Sequence, residues 1–448
     1  MLFGFVPDVK YKWTGWRFMK KLIIFLMAAV LLMAFSSCAG LDSEEAATGI
    51  TRSPSAVSDA PDVSGSGLEE EFRAVWVSYN ELSMAAVGGG TEQDFRRKAE
   101  EIMDYACSLQ LNTVIVHASA FSDSFYRSEL FPYSKYLTGT QGADPGYDPL
   151  KIMVEEAHAR SLKIHAWINP YRVSYDTDFS KLSDGNPAKK WHGEGRENED
   201  RIIVCDKGIF YNPASSEAQR LIIDGVREIV KNYEVDGIHY DDYFYPSTDP
   251  QIDQISYQAY RSAGGKYSLE DWRRENVNNF VSGLYSPVKS DSPHIEIGIS
   301  PSANQDYNYH KMYADTALWA GSSGYCDYIL PQVYYGFENE TLPFEKTVKT
   351  WSALCRNSPV KLYFGLAFYK SGKVDEYASA STEEGSAKYE WQRHSDIITR
   401  QLQTIRGIPE YRGYALYSYA SLKDPENKNA QTELQHYLNS FNKTNQEG

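Results

Sequence analysis

The chain has 448 residues, a formal net charge of −15 and 42% hydrophobic residues. That acidic balance argues against nucleic acid or an anionic membrane surface as a partner held by charge. The length suffices for a large core, and the 5 cysteines show no CxxC or metal-ligand spacing, so no metal and no other cofactor is expected.

The front of the chain reads as an export signal. Met19, Lys20 and Lys21 supply a charged start, Leu22 to Phe35 an apolar run short for a full membrane span, and Ser36 and Ser37 the small residues before Cys38. This resembles a bacterial lipoprotein signal, which implies that Cys38 carries the lipid and is the only tie to a membrane. Residues 1–38 are assigned to this region, with Met19 as the expected true start. Residues 39–67, rich in Ala, Ser, Asp, Glu, Gly and Pro, lack hydrophobic periodicity and read as a flexible tether. The expected location is an outer membrane, facing periplasm or cell surface. The acidic Asp42, Glu44 and Glu45 fit surface display and a solvated linker equally.

From residue 68 to 445 strand-like and helix-like runs alternate. The strand-like runs are Phe72–Ser78, Thr113–Ala118, Lys163–Asn169, Asp236–Tyr240, Ile295–Ser300, Tyr328–Tyr334, Leu362–Phe368 and Gly413–Tyr419. Between them lie helical stretches; Ser215–Tyr233, for example, places Ile222, Val226, Ile229 and Val230 near helical spacing. A long segment before Asn212-Pro213 reads as a loop over one face. Eight alternations, with strands apolar on both faces, predict a single (β/α)8 TIM barrel. A doubly wound open sheet is the alternative, and the first strand lacks the glycine-rich phosphate loop it would favour. Of the cysteines after Cys38, Cys107, Cys205, Cys326 and Cys355 are expected to be small buried residues.

In such a barrel the C-terminal strand ends and the loops after them converge. Those ends carry Ser78, Asn80, His117, Asn169, Tyr171, Arg172, Asp241, Asp242, Ser300, Asn304, Gln332, Tyr334, Tyr335, Phe368, Tyr369, Tyr417 and Tyr419. The list is polar and aromatic. Flat rings beside carboxylates are what a sugar cleft needs, for pyranose stacking and for glycosidic bond cleavage.

The sharpest signal is Asp236-Gly237-Ile238-His239-Tyr240-Asp241-Asp242-Tyr243-Phe244-Tyr245-Pro246. Alternation puts His239 and Asp241 on one face and Asp242 on the other. The order Gly237 to Asp241 resembles the fourth strand of α-amylase-type barrels, in which the Asp is the nucleophile. A glycosidase usually needs a second carboxyl group. Glu338, after the sixth strand, is the first choice; Asp242, Glu81 and Glu129 are the others. Trp76, Asn80, His117, Trp167, Asn169, Tyr171, Arg172, His239, Tyr243, Gln332, Tyr334 and Tyr335 are the expected substrate contacts, with Phe244 as a further stacking ring. His165 reads either as a deep core histidine or as a site residue. There is no HExxH and no GxSxG.

With these residues in place, the chain resembles the glycosyl-hydrolase-like 10 family from about Phe72 to Tyr419. The carrying motifs are Phe72-Arg73-Ala74-Val75-Trp76-Val77, His165-Ala166-Trp167-Ile168-Asn169-Pro170, Tyr211-Asn212-Pro213, Asp236 to Pro246, Ile299-Ser300-Pro301 and Asp327 to Tyr334. The resemblance implies a barrel glycosidase, and some members look like enzymes of peptidoglycan strands stripped of their peptides; with the export signal this gives a cell-envelope enzyme acting on a polysaccharide, and a monomer is expected. The alternatives are a dietary, host or capsular glycan as substrate, or a lipoprotein that binds glycan without turnover.

Overall fold

The computed structural model describes residues 70–194, 200–241 and 243–446. Cys38, the tether and Asp242 lie outside the described residues.

In chain order the strands are β1 (Phe72–Val77), β2 (Thr113–Ser119), β3 (Lys163–Ile168), β4 (Arg172–Ser174), β5 (Ile202–Cys205), β6 (Gly208–Tyr211), β7 (Gly237–Asp241), β8 (Glu296–Ser300), β9 (Tyr328–Ile329), β10 (Lys361–Leu366) and β11 (Tyr411–Leu416). Going round, β1, β2, β3, β7, β8, β9, β10 and β11 form a closed parallel barrel, and β11 pairs back onto β1. The architecture is a (β/α)8 TIM barrel.

Strand alternation divides the core in two. Val75, Val114, Ile164, Ile238 and Ile297 point outwards into the layer shared with the helices. Phe72, Ala74, Trp76, Ile115, Trp167, Tyr328 and Tyr363 fill the inside. Two glycines make room for the large interior rings. A Cβ at Gly298 would sit 1.8 Å from Cζ of Tyr328, and one at Gly237 would sit 2.7 Å from Nδ1 of His165.

The helices form where cap and periodicity agree. Glu92–Ser108 starts at a capping box, in which Thr91 accepts from the backbone of Asp94 and Asp94 accepts from the backbone of Thr91. It turns Phe95, Ala99, Ile102, Met103 and Ala106 to the barrel. Ser216–Asn232 is capped by Ser215 and buries Ile222, Val226 and Ile229.

Three features depart from the sequence reading. The sixth barrel strand keeps only Tyr328–Ile329 as regular ladder, with Gln332 making isolated bridges to Ser302 and Gly365. Pro331 lacks the N–H that a continuous ladder needs. The segment after β3 is not a plain loop: β4, β6 and β5 build a small antiparallel sheet. A helix Gln254–Ser262 also precedes Leu269–Asp291, where the sequence reading names no element. Of the cysteines, Cys326 and Cys355 are buried as expected, while Cys107 is exposed and Cys205 half-buried; all four are free thiols.

Candidate active site

Asp241 is the last residue of β7, lies level with Ser300 of β8, and is 4% exposed. Asn169 follows β3 directly. One orientation of its amide satisfies its neighbours: the nitrogen donates to Asp241 Oδ1 at 2.6 Å and Oδ2 at 3.0 Å, and the oxygen accepts from Arg172 Nη2. Arg172 opens β4, and its Nη1 donates to the Tyr175 hydroxyl at 2.8 Å. Its guanidinium lies 4.9 Å from the Phe121 ring centre, 5.0 Å from Tyr175 and 5.1 Å from Tyr243. A carboxylate, an amide and a guanidinium from three neighbouring segments thus form one hydrogen-bonded row.

That row borders a cavity of about 340 Å³ at the C-terminal end of the barrel. Of the residues expected from sequence, Trp76, Asn80, His117, Trp167, Arg172, Asp241, Tyr243, Gln332 and Tyr334 line it. Ser78, Tyr79, Tyr175, Ser300, Tyr369 and Tyr417 complete the lining. Tyr79 and Tyr175 were not anticipated. Tyr79 directly follows Ser78 at the strand end, so position alone could have marked it. Tyr175 directly follows β4 of the small sheet, in a segment that the sequence reads as a loop.

Rings form one wall. Trp76 meets Tyr417 at 5.9 Å, Tyr417 meets Tyr334 at 6.0 Å, and Tyr334 meets Tyr369 at 5.8 Å. Burial raises the Tyr417 phenol to about 12 and pushes Tyr334 and Tyr369 higher still. All three therefore stay neutral and offer hydroxyls. On the opposite side His117 stacks on Trp167 with centroids 3.4 Å apart. Its Nδ1 accepts from the Tyr79 backbone N–H at 3.2 Å, which leaves the proton on Nε2. Burial, with the Arg172 charge second, holds His117 well below the usual histidine range, and it also hydrogen-bonds Asn169.

Beneath the cavity a polar chain runs down the barrel. Trp76 Nε1 donates to His239 Nε2 at 3.1 Å, His239 Nδ1 meets the Tyr328 hydroxyl at 3.0 Å, and that hydroxyl meets His165 Nδ1 at 2.9 Å. Direction follows from the indole, which only donates. His239 must carry its proton on Nδ1 and give it to Tyr328, which donates onward to His165. The proton of His165 is then on Nε2, 3.9 Å from Glu296 Oε2. Burial lowers both histidines, His165 to about 4. His239 therefore supports Trp76 from below and does not line the cavity. His165 is a core residue whose Nδ1 is satisfied by Tyr328, while its buried Nε2–H has no hydrogen-bond acceptor among the described residues.

Other expected residues lie elsewhere. Tyr171 is fully buried against Phe244 and Phe280, and Phe244 itself packs on Trp319. Both face the helical layer: Phe244 falls on the outward parity of β7, whereas Tyr171 shares the parity of Asn169 but comes after β3 has ended, where alternation no longer sets its direction. Tyr335 packs against the outer core. Glu338 ion-pairs with Arg393, with 42% of its side chain exposed, and does not line the cavity. Glu81 accepts from the backbone N–H groups of Ser78 and Ala420, tying the ends of β1 and β11 together. Glu129 is exposed, its backbone N–H donates to Glu228, and it does not line the cavity. Among the described residues, Asp241 is the one carboxylate lining the cavity, and no three His, Cys, Asp or Glu side chains gather as metal ligands.

This arrangement can hold a flat, hydroxyl-rich ring against aromatic faces and set an oriented carboxylate beside it. Known proteins are similar to this chain. The chain is 35% identical to the glycosyl hydrolase YngK of Bacillus subtilis (strain 168) over 78% of this chain and 70% of that protein. It is 31% identical to the glycosyl hydrolase DigH of Escherichia coli (strain K12) over 74% of this chain and 77% of that one. Among solved structures, the PgaB (BpsB) glycoside hydrolase domain from Bordetella bronchiseptica shares the fold, with a TM-score of 0.53, 13% identity, and coverage of 82% of this chain and 99% of that one. Residues 71–380 match the glycosyl hydrolase-like 10 model, and the chain belongs to that family.

Proposed function

We propose that this glycoside hydrolase cuts O-glycosidic bonds of a polysaccharide with Asp241 as the carboxylate facing the sugar C1. The observation that carries the reading is the placement of Asp241: at the cavity, oriented by one amide that donates to both of its oxygens, and surrounded by rings. There it stabilises or captures the oxocarbenium-like centre that forms as the bond breaks. His117 and the phenols of Tyr334, Tyr369 and Tyr417 position sugar hydroxyls. The second carboxyl group is assigned to Asp242, the next residue, because Glu338 is engaged by Arg393.

The finer proposal is a cell-envelope enzyme, lipid-anchored through Cys38, whose substrate is peptidoglycan strands freed of their peptides. The export signal supports this reading. A glycosidase for a dietary, host or capsular glycan uses the same residues, and the names of the relatives specify no substrate. The test is mass spectrometry of products after incubating the purified protein with peptide-free peptidoglycan strands and a panel of other polysaccharides. New reducing ends from the peptidoglycan strands support the finer proposal. New reducing ends only from another glycan replace the substrate and keep the enzyme.

A further inference from the structure

The cavity lining holds one cation among the described residues, Arg172, and its surroundings are unusual for a buried charge. The residue is 8% exposed, yet among the described residues it makes no ion pair, and its Nε–H is buried without an acceptor. One N–H reaches the Tyr175 hydroxyl and another the Asn169 oxygen. Three ring faces, from Phe121, Tyr175 and Tyr243, surround the guanidinium at 4.9 to 5.1 Å. Cation–π contact offsets only part of the cost of removing a guanidinium from water. A cation kept in this state is poised for an anion that arrives with the ligand.

We infer that Arg172 recognises a carboxylate on the substrate and selects glycans whose sugars carry a free one. This deepens the hydrolase reading and rests on it. A planar guanidinium matches a carboxylate in fork geometry. A monoanion suits the site better than a phosphate, because Asp241 lies one amide away and would repel a dianion. The protein as a whole carries −15, so an acidic glycan gains nothing from the general field and depends on a local cation. Two sugar chemistries present such a group: the lactyl ether of muramic acid once its peptide is gone, and the C6 carboxylate of a uronic acid. In peptide-bearing strands the lactyl carboxyl is an amide and carries no charge, so the same contact would distinguish stripped strands from intact ones.

The test compares kcat/KM on four probes: peptide-free muramic-acid strands, a uronate-containing glycan, and each of these with its carboxyls converted to primary amides. The wild type is expected to prefer the free-carboxylate muramic strands over the amidated ones by roughly ten- to hundredfold. A preference for the uronate glycan over its own amidated form assigns the uronic acid instead. Arg172→Met should bring the ratio of free to amidated substrate close to one, whatever it does to the absolute rate through Asn169. Equal turnover of the free and amidated forms of both glycans by the wild type overturns the inference, as does a variant that slows both forms and keeps the ratio. If no probe is cut, the hydrolase reading fails separately. Calorimetric binding of the same probes then decides on Arg172: tighter binding of the free carboxylate supports it, equal binding overturns it.

Discussion

His165 gives the barrel interior a measurable pH signature. It is fully buried, and burial lowers it from 6.5 to about 4. Its Nδ1 accepts from Tyr328 at 2.9 Å, so the neutral ring is the form the core is built around. A base whose folded pKa lies below its unfolded value stabilises the fold fully above the unfolded value. That stability is lost as pH falls from about 6.5 towards 4, because the unfolded chain takes up the proton first. With ~1.4 kcal/mol per pKa unit, the whole effect is roughly 3 kcal/mol, and about 2 kcal/mol of it is lost between pH 7 and 5. His165→Asn keeps an acceptor where Nδ1 stands and removes the titration. Urea unfolding by circular dichroism at constant ionic strength, from pH 7.5 to 4.5, should show the variant less stable at neutral pH from lost ring packing. Its stability should then fall less steeply with acid, by close to one proton. His117 and His239 shift in the same direction and remain in both proteins, so the difference in slope belongs to His165. Parallel profiles for variant and wild type would refute the picture of a neutral histidine inside a directed hydrogen-bond chain.

Three further outcomes are expected. Asn169→Ala removes both donors to Asp241 and the acceptor of Arg172, and should lower kcat on the order of 10²-fold through misorientation, with little change in thermal midpoint. Asp253→Ala strands the buried guanidinium of Arg273, which also holds the Thr248 and Asp249 carbonyls in the loop after β7. It should destabilise by about 3–5 kcal/mol in chemical denaturation. Glu338→Gln breaks a half-exposed pair with Arg393 and should change stability by less than about 1 kcal/mol while leaving turnover intact; a large loss of kcat would return Glu338 to the chemistry.

The barrel was legible because its strands are short apolar runs separated by helical stretches, and each inward position within a strand follows from parity. Gly237, His239 and Asp241 share a face in sequence and in space. Two residues were misplaced: Phe244 is aromatic and close to the rim but falls on the outward parity, and Tyr171 shares the inward parity of Asn169 but lies beyond the end of β3, where the backbone sends it to the helices. The small sheet had a readable signature in Ile202-Ile203-Val204-Cys205 and Gly208-Ile209-Phe210-Tyr211, joined by two residues. There Gly208 adopts φ +121°, and a Cβ would sit 2.0 Å from the Ser174 carbonyl oxygen. The Asp241–Asn169–Arg172 row was not legible as a unit. It joins residues that alternation places near one another, but the contact depends on amide orientation and on the path of β4. The export signal and Asp242 lie outside the described residues, and their roles rest on sequence.

The central claim is that Asp241 acts on the glycosidic bond in this cavity. It is tested most directly by steady-state kinetics of Asp241→Asn on whichever glycan the product screen returns, with thermal melting and substrate binding measured on the same preparation. The account predicts a loss of kcat on the order of 10³-fold or more, with folding and binding retained. A variant that is folded, binds glycan and turns over within about tenfold of wild type would contradict it.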